Sequence, residues 1–213
     1  MDDRTLLDEV AGGASAPLTR ADWLAAAIRI FIAEGVASVR ITRLADELTM
    51  TRGSFYWHFA DRDDLLAAIV EFWARKNTRA VVAACDGIDE LDLGVLALFD
   101  AWIDPDIFDP RLDLAIREWA RRDAAIRKLV AKADDKRIEA ICALYCRSGV
   151  AKREAFIRAR VIYFTQIGYY ALEVKETLAE RLGYLESYYL AFTGRSLAPA
   201  AAAAYRRKHL AQK

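Results

Sequence analysis

Apolar residues recur three and four positions apart along most of the chain from Thr19 onward, which is the spacing of amphipathic α-helices. Ala, Leu, Arg and Glu, which favour helices, are abundant in the same region. No stretch alternates apolar and polar residues for long enough to indicate a β-strand. The pattern therefore predicts an all-α fold. Residues 1–18 lack it and end in AGGASAPL, which predicts a flexible N-terminal arm.

Polar signals divide the first third of the chain into short helices. Thr19 and Asp22 form a T-x-x-D capping signal, and Gly35 is a typical helix end. After the turn TMT, Thr51 can cap a helix that starts at Arg52. A following helix has acidic residues in its first turn and basic residues in its last, as the helix dipole favours. The helices predicted here cover about 19–35, 41–48, 52–59 and 62–76.

The remaining two thirds of the chain predicts longer helices. Asp109 and Pro110 have the pattern of an N-cap followed by a first-turn proline. Gly149 and Gly194 mark two helix ends. The predicted helices cover about 91–102, 110–122, 124–147, 152–176 and 177–192, followed by a frayed terminal helix at 199–209.

Composition narrows the class of protein. The chain has 213 residues, 55% of them hydrophobic, which is typical of a compact globular protein. No segment approaches the roughly 18 uninterrupted apolar residues of a membrane span, and the acidic N-terminus lacks the charge pattern of a signal peptide. Cys85, Cys142 and Cys146 form no disulfide framework. We therefore expect a cytoplasmic protein with no membrane partner.

The segment TRGSFYWHF, residues 51–59, places large rings on consecutive positions. At about 100° per residue, Phe55 and Phe59 fall within roughly 40° of each other. We expect these two rings in a small core. Gly53, Tyr56 and Trp57 lie on another face, where a glycine permits close approach and the rings have polar tips. The expected core partners of the two phenylalanines are Trp23, Phe31, Leu44 and Leu65.

Basic side chains surround this second face. Arg40, Arg43, Arg52 and Arg62 all lie near predicted helix starts or turns, and guanidinium groups suit phosphate oxygens. Residues 19–76 contain eight Arg or Lys and eight Asp or Glu, so placement rather than net charge indicates a nucleic-acid partner. A short helix, a turn and a second short helix that carries such a face predict a DNA-binding helix-turn-helix.

The segment LADELTMTRGSFYWHFADRDDLL, residues 44–66, resembles the DNA-binding domain of the TetR/AcrR family of bacterial transcriptional regulators. The resemblance covers about 19–76. Two departures stand out. Thr49 replaces the usual turn glycine and is expected at a positive φ, and Val39 and Arg40 replace a Thr/Ser pair at the start of the second helix. The matching positions include Thr51, Gly53, Tyr56, His58, Phe59, Arg62 and Leu65.

The resemblance implies that the third helix enters the major groove of double-stranded DNA. It implies phosphate contacts from Thr42, Thr51, Tyr56, His58 and Arg62, with Arg40 able to substitute at the altered helix start. It implies base-edge contacts from Arg52, Gly53, Ser54 and Trp57. Each residue also has an ordinary interpretation, because a lone arginine is usually solvated and His58 can be a hydrogen-bonded core residue.

The resemblance further implies that residues 77–213 form a helical regulatory domain that dimerises and encloses a small-molecule pocket. Apolar residues on two faces of the predicted helix 152–176 allow this arrangement, although a monomeric helical core would also use both faces. The predicted dimer interface is Ile157, Val161, Phe164, Gly168, Ala171, Leu182, Leu185, Tyr189 and Phe192. The predicted ligand pocket is Trp102, Trp119, Tyr145, Tyr163, Gln166 and Tyr170, and any of these rings can instead be plain core.

The predicted function is a ligand-responsive regulator without a cofactor, most simply a repressor. A small hydrophobic or amphipathic molecule would release the homodimer from a palindromic operator. A redox-sensing regulator that uses Cys142 and Cys146 is an alternative, as is a helical protein-interaction module. The cysteine pair lacks further metal ligands nearby, and buried structural cysteines are the simpler interpretation. The chain contains no P-loop, dinucleotide-binding glycine pattern, H-E-x-x-H or nucleophile elbow, so an enzyme is not predicted.

Overall fold

The computed structural model describes residues 18–211, so the predicted N-terminal arm lies outside the described residues except for Leu18. Within that range every regular element is helical, which confirms the all-α prediction. The helices are α1 (Arg20–Glu34), α2 (Ile41–Glu47), α3 (Arg52–Tyr56), α4 (Arg62–Trp73), α5 (Arg79–Cys85), α6 (Leu91–Ile103), α7 (Pro110–Ala120), α8 (Ala124–Arg147), α9 (Lys152–Ala171), α10 (Leu178–Gly183), α11 (Leu185–Thr193) and α12 (Pro199–Leu210). A 3₁₀ turn (Val36–Ser38) follows α1, and a π-helical turn (Ala74–Thr78) follows α4.

The chain divides into two compact units, Met1–Ile69 and Val70–Lys213. In the first unit, α1 begins with the predicted capping box. The side chain of Thr19 accepts from the backbone N–H of Asp22, and the carboxylate of Asp22 accepts from the backbone N–H of Thr19. The core of this unit contains all six side chains that the sequence placed there, namely Trp23, Phe31, Leu44, Phe55, Phe59 and Leu65, each no more than 1% exposed.

The turn between α2 and α3 has the strained backbone that the sequence predicts. Thr49 adopts φ 54°, in the left-handed region that favours glycine. The backbone N–H of Met50 donates to the carbonyl oxygen of Ala45 at 2.8 Å, which closes the end of α2 in the manner of a Schellman motif. Thr51 then caps α3, because its hydroxyl accepts from the backbone N–H of Ser54 at 3.3 Å.

The second unit packs its helices around one apolar core. The approach of α6 to α8 is close at Gly94, where an added Cβ would lie 2.4 Å from Leu144 Cδ2. Asp109 caps α7 as predicted, with Pro110 in its first turn. Among the described helices, none is long and apolar enough to cross a membrane.

The helices of the second unit differ from the prediction in four places. The helix predicted at 152–176 ends at Ala171, because Glu173 adopts φ 50°. The helix predicted at 177–192 is two helices, α10 and α11, with the break at Tyr184. Helix α5 was not predicted; it follows the π-helical turn, and the side chain of its N-cap residue Thr78 makes no capping hydrogen bond. The tail is not frayed over its length, because Ala202 and Tyr205 of α12 are buried.

Candidate nucleic-acid interface and effector cavity

The helix pair α2 and α3 presents one buried face and one exposed face. On the buried face, the Phe55 ring lies 5.5 Å from the ring of Trp23, edge to face, and 5.5 Å from the stacked ring of Phe59, centroid to centroid. On the other face, Trp57 is 88% exposed and Tyr56 is 58% exposed. The predicted burial of Phe55 and Phe59 and the predicted exposure of Tyr56 and Trp57 are therefore confirmed. Packing of the two phenylalanines fixes the orientation of the exposed face.

Small residues and polar side chains extend the exposed face to the start of each helix. Gly53 has only Thr51 Oγ1, at 3.6 Å, near the position where a Cβ would lie, so a flat surface can approach its backbone. Thr51, Arg52 and Gly53 are exposed at the start of α3, and Thr42 is exposed in the first turn of α2. Ser54 and His58 are half-buried at the edge of this face.

The four arginines around this face have different environments. Arg62 donates from Nε to the carbonyl oxygen of Val39 at 2.6 Å and from Nη2 to that of Val36 at 2.7 Å. Arg43 forms a two-point ion pair with Glu34, and this hydrogen bonding lowers the pKa of the Glu34 carboxyl. Both guanidinium groups therefore hold the domain together. The two main-chain bonds of Arg62 fix the segment that enters α2, and its phosphate contact stays a prediction.

Arg40 and Arg52 remain available to a partner. Both are exposed, and neither makes a hydrogen bond or ion pair with the residues that the structure describes. Arg40 occupies the N-cap of α2 without a side-chain cap, as expected from the missing Thr/Ser pair. The face formed by Arg40, Thr42, Thr51, Arg52, Gly53, Tyr56 and Trp57 is called the recognition face below.

Part of this unit is similar to a known protein family. The family model described as bacterial regulatory proteins, tetR family, matches residues 24–69. This segment of the chain is similar to the tetR family of bacterial regulatory proteins. This segment contains α2, α3 and the turn between them, and therefore most of the recognition face.

Curated relatives match the same TetR-family region. The chain is 42% identical over 53 residues to the HTH-type transcriptional regulator AcrR of Shigella flexneri, covering 25% of each chain. It is 32% identical over 74 residues to the HTH-type transcriptional regulator TtgR of Pseudomonas putida, covering 35% of each. The match thus spans about a quarter to a third of the length of these relatives.

Solved structures share the fold over much more of the chain. AmtR of Mycobacterium smegmatis superposes with a TM-score of 0.58 at 19% identity, covering 95% of this chain and 97% of that one. The ketosteroid transcriptional regulator KstR2 of Mycobacterium tuberculosis gives a TM-score of 0.55 at 18% identity, covering 84% and 95%. The described part of this chain therefore shares a helical fold with these regulators.

The second unit contains a cavity with aromatic walls, called the aromatic cavity below. The space open to the centre of a water molecule is about 80 Å³, enough for several waters or a small ligand. It lies among α6, α9, α10, α11 and α12. Its principal lining residues are Phe99, Trp102, Gln166, Tyr169, Phe192 and Tyr205.

Only two of the predicted pocket residues, Trp102 and Gln166, line the aromatic cavity. The Tyr170 hydroxyl donates to the carbonyl oxygen of Trp102 at 2.8 Å, and the Tyr145 hydroxyl donates to that of Phe192 at 3.1 Å. Both therefore support the wall from behind. Trp119 is half-buried on α7 and does not line the cavity. Tyr205 was missed because the sequence of its helix predicts fraying.

Tyr163 belongs to a buried polar network rather than to the cavity. Its hydroxyl donates to Asp134 at 2.6 Å and accepts from Arg137 Nη1 at 3.0 Å. Asp113, also buried, accepts from Arg137 at 3.0 Å and from Trp73 Nε1 at 2.7 Å. Burial raises the pKa of the Asp113 carboxyl, but Arg137 and Arg117 more than offset this, so the pKa lies below its ordinary value.

The predicted dimer face divides into an exposed part and a buried part. Ile157, Val161 and Phe164 of α9 are each about half exposed, at 52%, 46% and 48%. Gly168 and Ala171 continue along the same helix and also reach the surface. The other predicted positions, Leu182, Leu185, Tyr189 and Phe192, lie in the core of the unit and need correction, because a partner cannot reach them. The exposed rings of that segment are instead Tyr184 and Tyr188.

Cys85 is buried, whereas Cys142 and Cys146 are half-buried. Burial raises the pKa of the Cys85 thiol to about 12. Burial, followed by the neighbouring Cys146, raises the pKa of Cys142. A raised pKa lowers the thiolate fraction, and the thiolate is the reactive form. Among the described residues, no group of three or more His, Cys, Asp or Glu side chains could hold a metal ion.

Proposed function

We infer that this protein is a TetR-family transcriptional regulator that binds double-stranded DNA as a homodimer and responds to a small molecule. The observation that carries the inference is the recognition face, where Tyr56 and Trp57 are exposed beside Gly53 while Phe55 and Phe59 anchor the same helix. Exposed large rings beside exposed arginine and hydroxyl side chains suit a grooved, polar partner such as DNA. The curated relatives are transcriptional regulators, which favours regulation over catalysis.

The residues of the recognition face divide by chemistry into two roles. Arg52 is exposed at the start of α3, and a guanidinium can donate twice to the O6 and N7 of guanine. Trp57 offers an apolar ring for a thymine methyl group. Thr42, Thr51 and Tyr56 carry hydroxyls that can donate to phosphates, and Arg40 adds a positive charge at the start of α2. His58 is half-buried at the rim and is proposed as a further phosphate contact.

The proposed homodimer uses the exposed α9 stripe of Ile157, Val161 and Phe164. Two-fold symmetry presents two copies of α3 to an inverted repeat. The proposed effector site is the aromatic cavity. The effector releases DNA because it binds the DNA-free conformation of the dimer more tightly than the DNA-bound conformation. A regulator that an effector releases from DNA acts most simply as a repressor. A cysteine-based redox switch is less favoured, because the pKa of Cys142 is raised.

Duplex binding by purified protein tests the DNA-binding role. We expect log affinity to fall linearly with log salt concentration, because phosphate contacts release counterions. Arg52→Ala should cost about 1–3 kcal/mol on the preferred duplex and much less on a scrambled one. Tyr56→Ala should weaken binding to both duplexes to a similar extent, because a phosphate contact carries no sequence information.

Arg29→Ala is the matched control for Arg52→Ala, because Arg29 is exposed in the same unit but pairs with Glu47 at 3.1 Å. It should leave duplex affinity within about twofold, since an exposed pair contributes little. If Arg52→Ala lost equal affinity for the preferred and scrambled duplexes, the assignment of Arg52 to base reading would be wrong. Binding that did not depend on salt would contradict a phosphate-contacting interface altogether.

A further inference from the structure

The aromatic cavity contains a polar atom that the protein leaves unpaired. Gln166 Nε2 is buried and has no hydrogen-bond partner among the described residues. The neighbouring Tyr170 hydroxyl donates its proton to the carbonyl oxygen of Trp102 at 2.8 Å, and Gln166 affects the pKa of Tyr170 without meeting the geometry of a full hydrogen bond. An amide nitrogen can only donate, and a buried donor without an acceptor is unfavourable. A ligand that supplies a hydrogen-bond acceptor to Gln166 would therefore bind more tightly than one that does not.

A second unpaired atom lies on the α12 side of the cavity. The Tyr205 hydroxyl is buried and makes no hydrogen bond with the described residues. Asp100 is close enough to raise the pKa of Tyr205 but does not meet hydrogen-bond geometry with it, and Asp100 already pairs with Lys208 Nζ and His209 Nε2, each at 2.6 Å. Burial and Asp100 raise the pKa of Tyr205 above its usual range, so the hydroxyl keeps its proton and can donate. Gln166 Nε2 and the Tyr205 hydroxyl are therefore both hydrogen-bond donors without an acceptor.

The remaining walls define the shape and charge of the ligand. Phe99, Trp102 and Phe192 supply flat apolar surface. The two charged lining residues, Glu176 and Arg181, have opposite signs, and both contact Tyr169. Arg181 lies over the Tyr169 ring at 4.8 Å, and the Tyr169 hydroxyl donates to Glu176 at 3.0 Å. Because these charges compensate, the cavity favours a neutral ligand over an ion.

We propose that the aromatic cavity binds a neutral, planar aromatic molecule whose carbonyl or ether oxygen accepts a hydrogen bond from Gln166 Nε2. This rests on the proposed function only in treating the molecule as the effector. The aromatic rings hold the ring system of the ligand, Gln166 sets its orientation, and Tyr205 can donate to a second oxygen.

Two bicyclic probes of similar size test the proposal. Coumarin is neutral and planar and has a lactone carbonyl, whereas naphthalene lacks any acceptor. Calorimetric titration of the full chain without DNA should show coumarin binding about tenfold more tightly than naphthalene. In Gln166→Met the two affinities should become similar, mainly because coumarin loses affinity. Equal binding in the parent protein, no binding of coumarin, or an unchanged ratio in Gln166→Met would overturn the proposal.

Controls separate loss of the donor from loss of the fold. Naphthalene bound by Gln166→Met shows that the cavity is intact. If that variant does not fold, Gln166→Glu keeps the side-chain shape and should also lose the preference for coumarin. Tyr184→Phe, which removes an exposed hydroxyl outside the cavity, should retain the full preference. Since no duplex is present, a failure of the DNA-binding role leaves this result untouched. Coumarin that binds through Gln166 but does not release a bound duplex would contradict only the effector role.

Discussion

At the scale of single residues, neighbours on α3 have opposite roles because a helix turns by about 100° per residue. Phe55 is fully buried while Tyr56, next in the chain, is 58% exposed. Burying a phenylalanine stabilises a fold by about 1.5–3 kcal/mol. The buried rings therefore fix the orientation of a helix that is only 5 residues long and could not be stable alone. Tyr56 and Trp57 are presented to a partner from a rigid support.

Thr49 offers a test of backbone strain in the helix-turn-helix. A β-branched residue at φ 54° is strained, and its side chain is exposed, so replacement by glycine removes no packing. Thr49→Gly should stabilise the first unit by about 0.5–1 kcal/mol, after allowing for the greater unfolded entropy of glycine. Slower amide hydrogen exchange in α1 to α3 of the full chain would measure this.

The companion variant acts at the other end of the same turn. Thr51→Ala removes the N-cap of α3 and should destabilise the unit by about 1 kcal/mol, so exchange should become faster. Opposite signs at two threonines in one turn distinguish backbone strain from a general effect of substitution. Faster exchange in Thr49→Gly would show that Thr49 is not strained.

The residue scale also shows what the sequence could and could not predict. The burial of Phe55 and the positive φ of Thr49 follow from local spacing and turn chemistry, so both were predictable. The main-chain hydrogen bonds of Arg62 were not, because its acceptors on Val39 and Val36 are 23 and 26 positions away in the chain. Nothing in the local pattern distinguishes an arginine that binds main-chain carbonyls from one that binds phosphate.

At the scale of helices, the sequence predicted the long segments better than their ends and partners. Helix α9 ends just before Glu173, which adopts a positive φ. The end was not predictable, because no glycine or proline marks it in the sequence. The apolar faces of α10 and α11 were predicted to form a dimer interface. An apolar stripe indicates that a helix face is buried, but it does not indicate which surface covers it. Leu182, Leu185 and Phe192 instead line the aromatic cavity. Tertiary packing decides this, and one sequence does not record it.

The contact between α6 and α8 is tested at Gly94. A Cβ at this position would lie 2.4 Å and 2.5 Å from the two terminal methyl carbons of Leu144, which is fully buried and cannot move aside easily. Gly94→Ala should therefore destabilise the second unit by about 1–3 kcal/mol despite the better helix propensity of alanine. Urea unfolding followed by circular dichroism would measure it.

Gly183→Ala is the control for the Gly94 experiment. Gly183 is the last residue of α10 and has no atom within 4 Å of an added Cβ. Alanine there should be neutral or slightly stabilising. If both variants unfolded at the parent's urea concentration, the close approach of α6 to α8 would be disproved.

The buried network around Asp113 predicts a pH dependence of stability. The folded pKa of Asp113 is lowered, so its contribution is present above the unfolded pKa of about 3.9 and is lost as pH falls through that value toward the folded pKa. Asp113→Asn should destabilise the second unit at about pH 7 by about 3–5 kcal/mol, since Arg137 loses a buried partner. It should also flatten the loss of stability between about pH 5 and about pH 3.

Urea unfolding at several pH values measures both effects. Asp135→Asn, an exposed carboxylate on the helix that carries Arg137, is the matched control and should follow the parent's curve. A parallel acid limb for Asp113→Asn and the parent would mean that Asp113 does not contribute to acid unfolding.

At the scale of the whole molecule, the exposed α9 stripe is tested by adding a charge. Val161→Arg places a guanidinium in the centre of the proposed interface, and the residue is 46% exposed in the single chain, so the fold should be kept. We expect a monomer by sedimentation equilibrium, because an unpaired buried charge is strongly unfavourable. We also expect at least about tenfold weaker binding to a two-site duplex, because the two half-sites are no longer bound together.

Leu129→Arg provides the control for the interface experiment. Leu129 is an equally exposed apolar residue at 46%, on α8 outside the proposed stripe. It should remain dimeric and bind the duplex as the parent does. A parent protein that sediments as a monomer, or a dimeric Val161→Arg, would contradict the assignment of this face.

The most direct test of the whole account is a selection of bound sites from a random duplex library with the purified full chain, followed by sequencing. We expect an enriched inverted repeat, because two copies of α3 related by two-fold symmetry would read two identical half-sites. The enrichment should weaken at one position of each half-site in Arg52→Ala. No enriched sequence from folded, dimeric protein would contradict the central claim that the recognition face reads DNA.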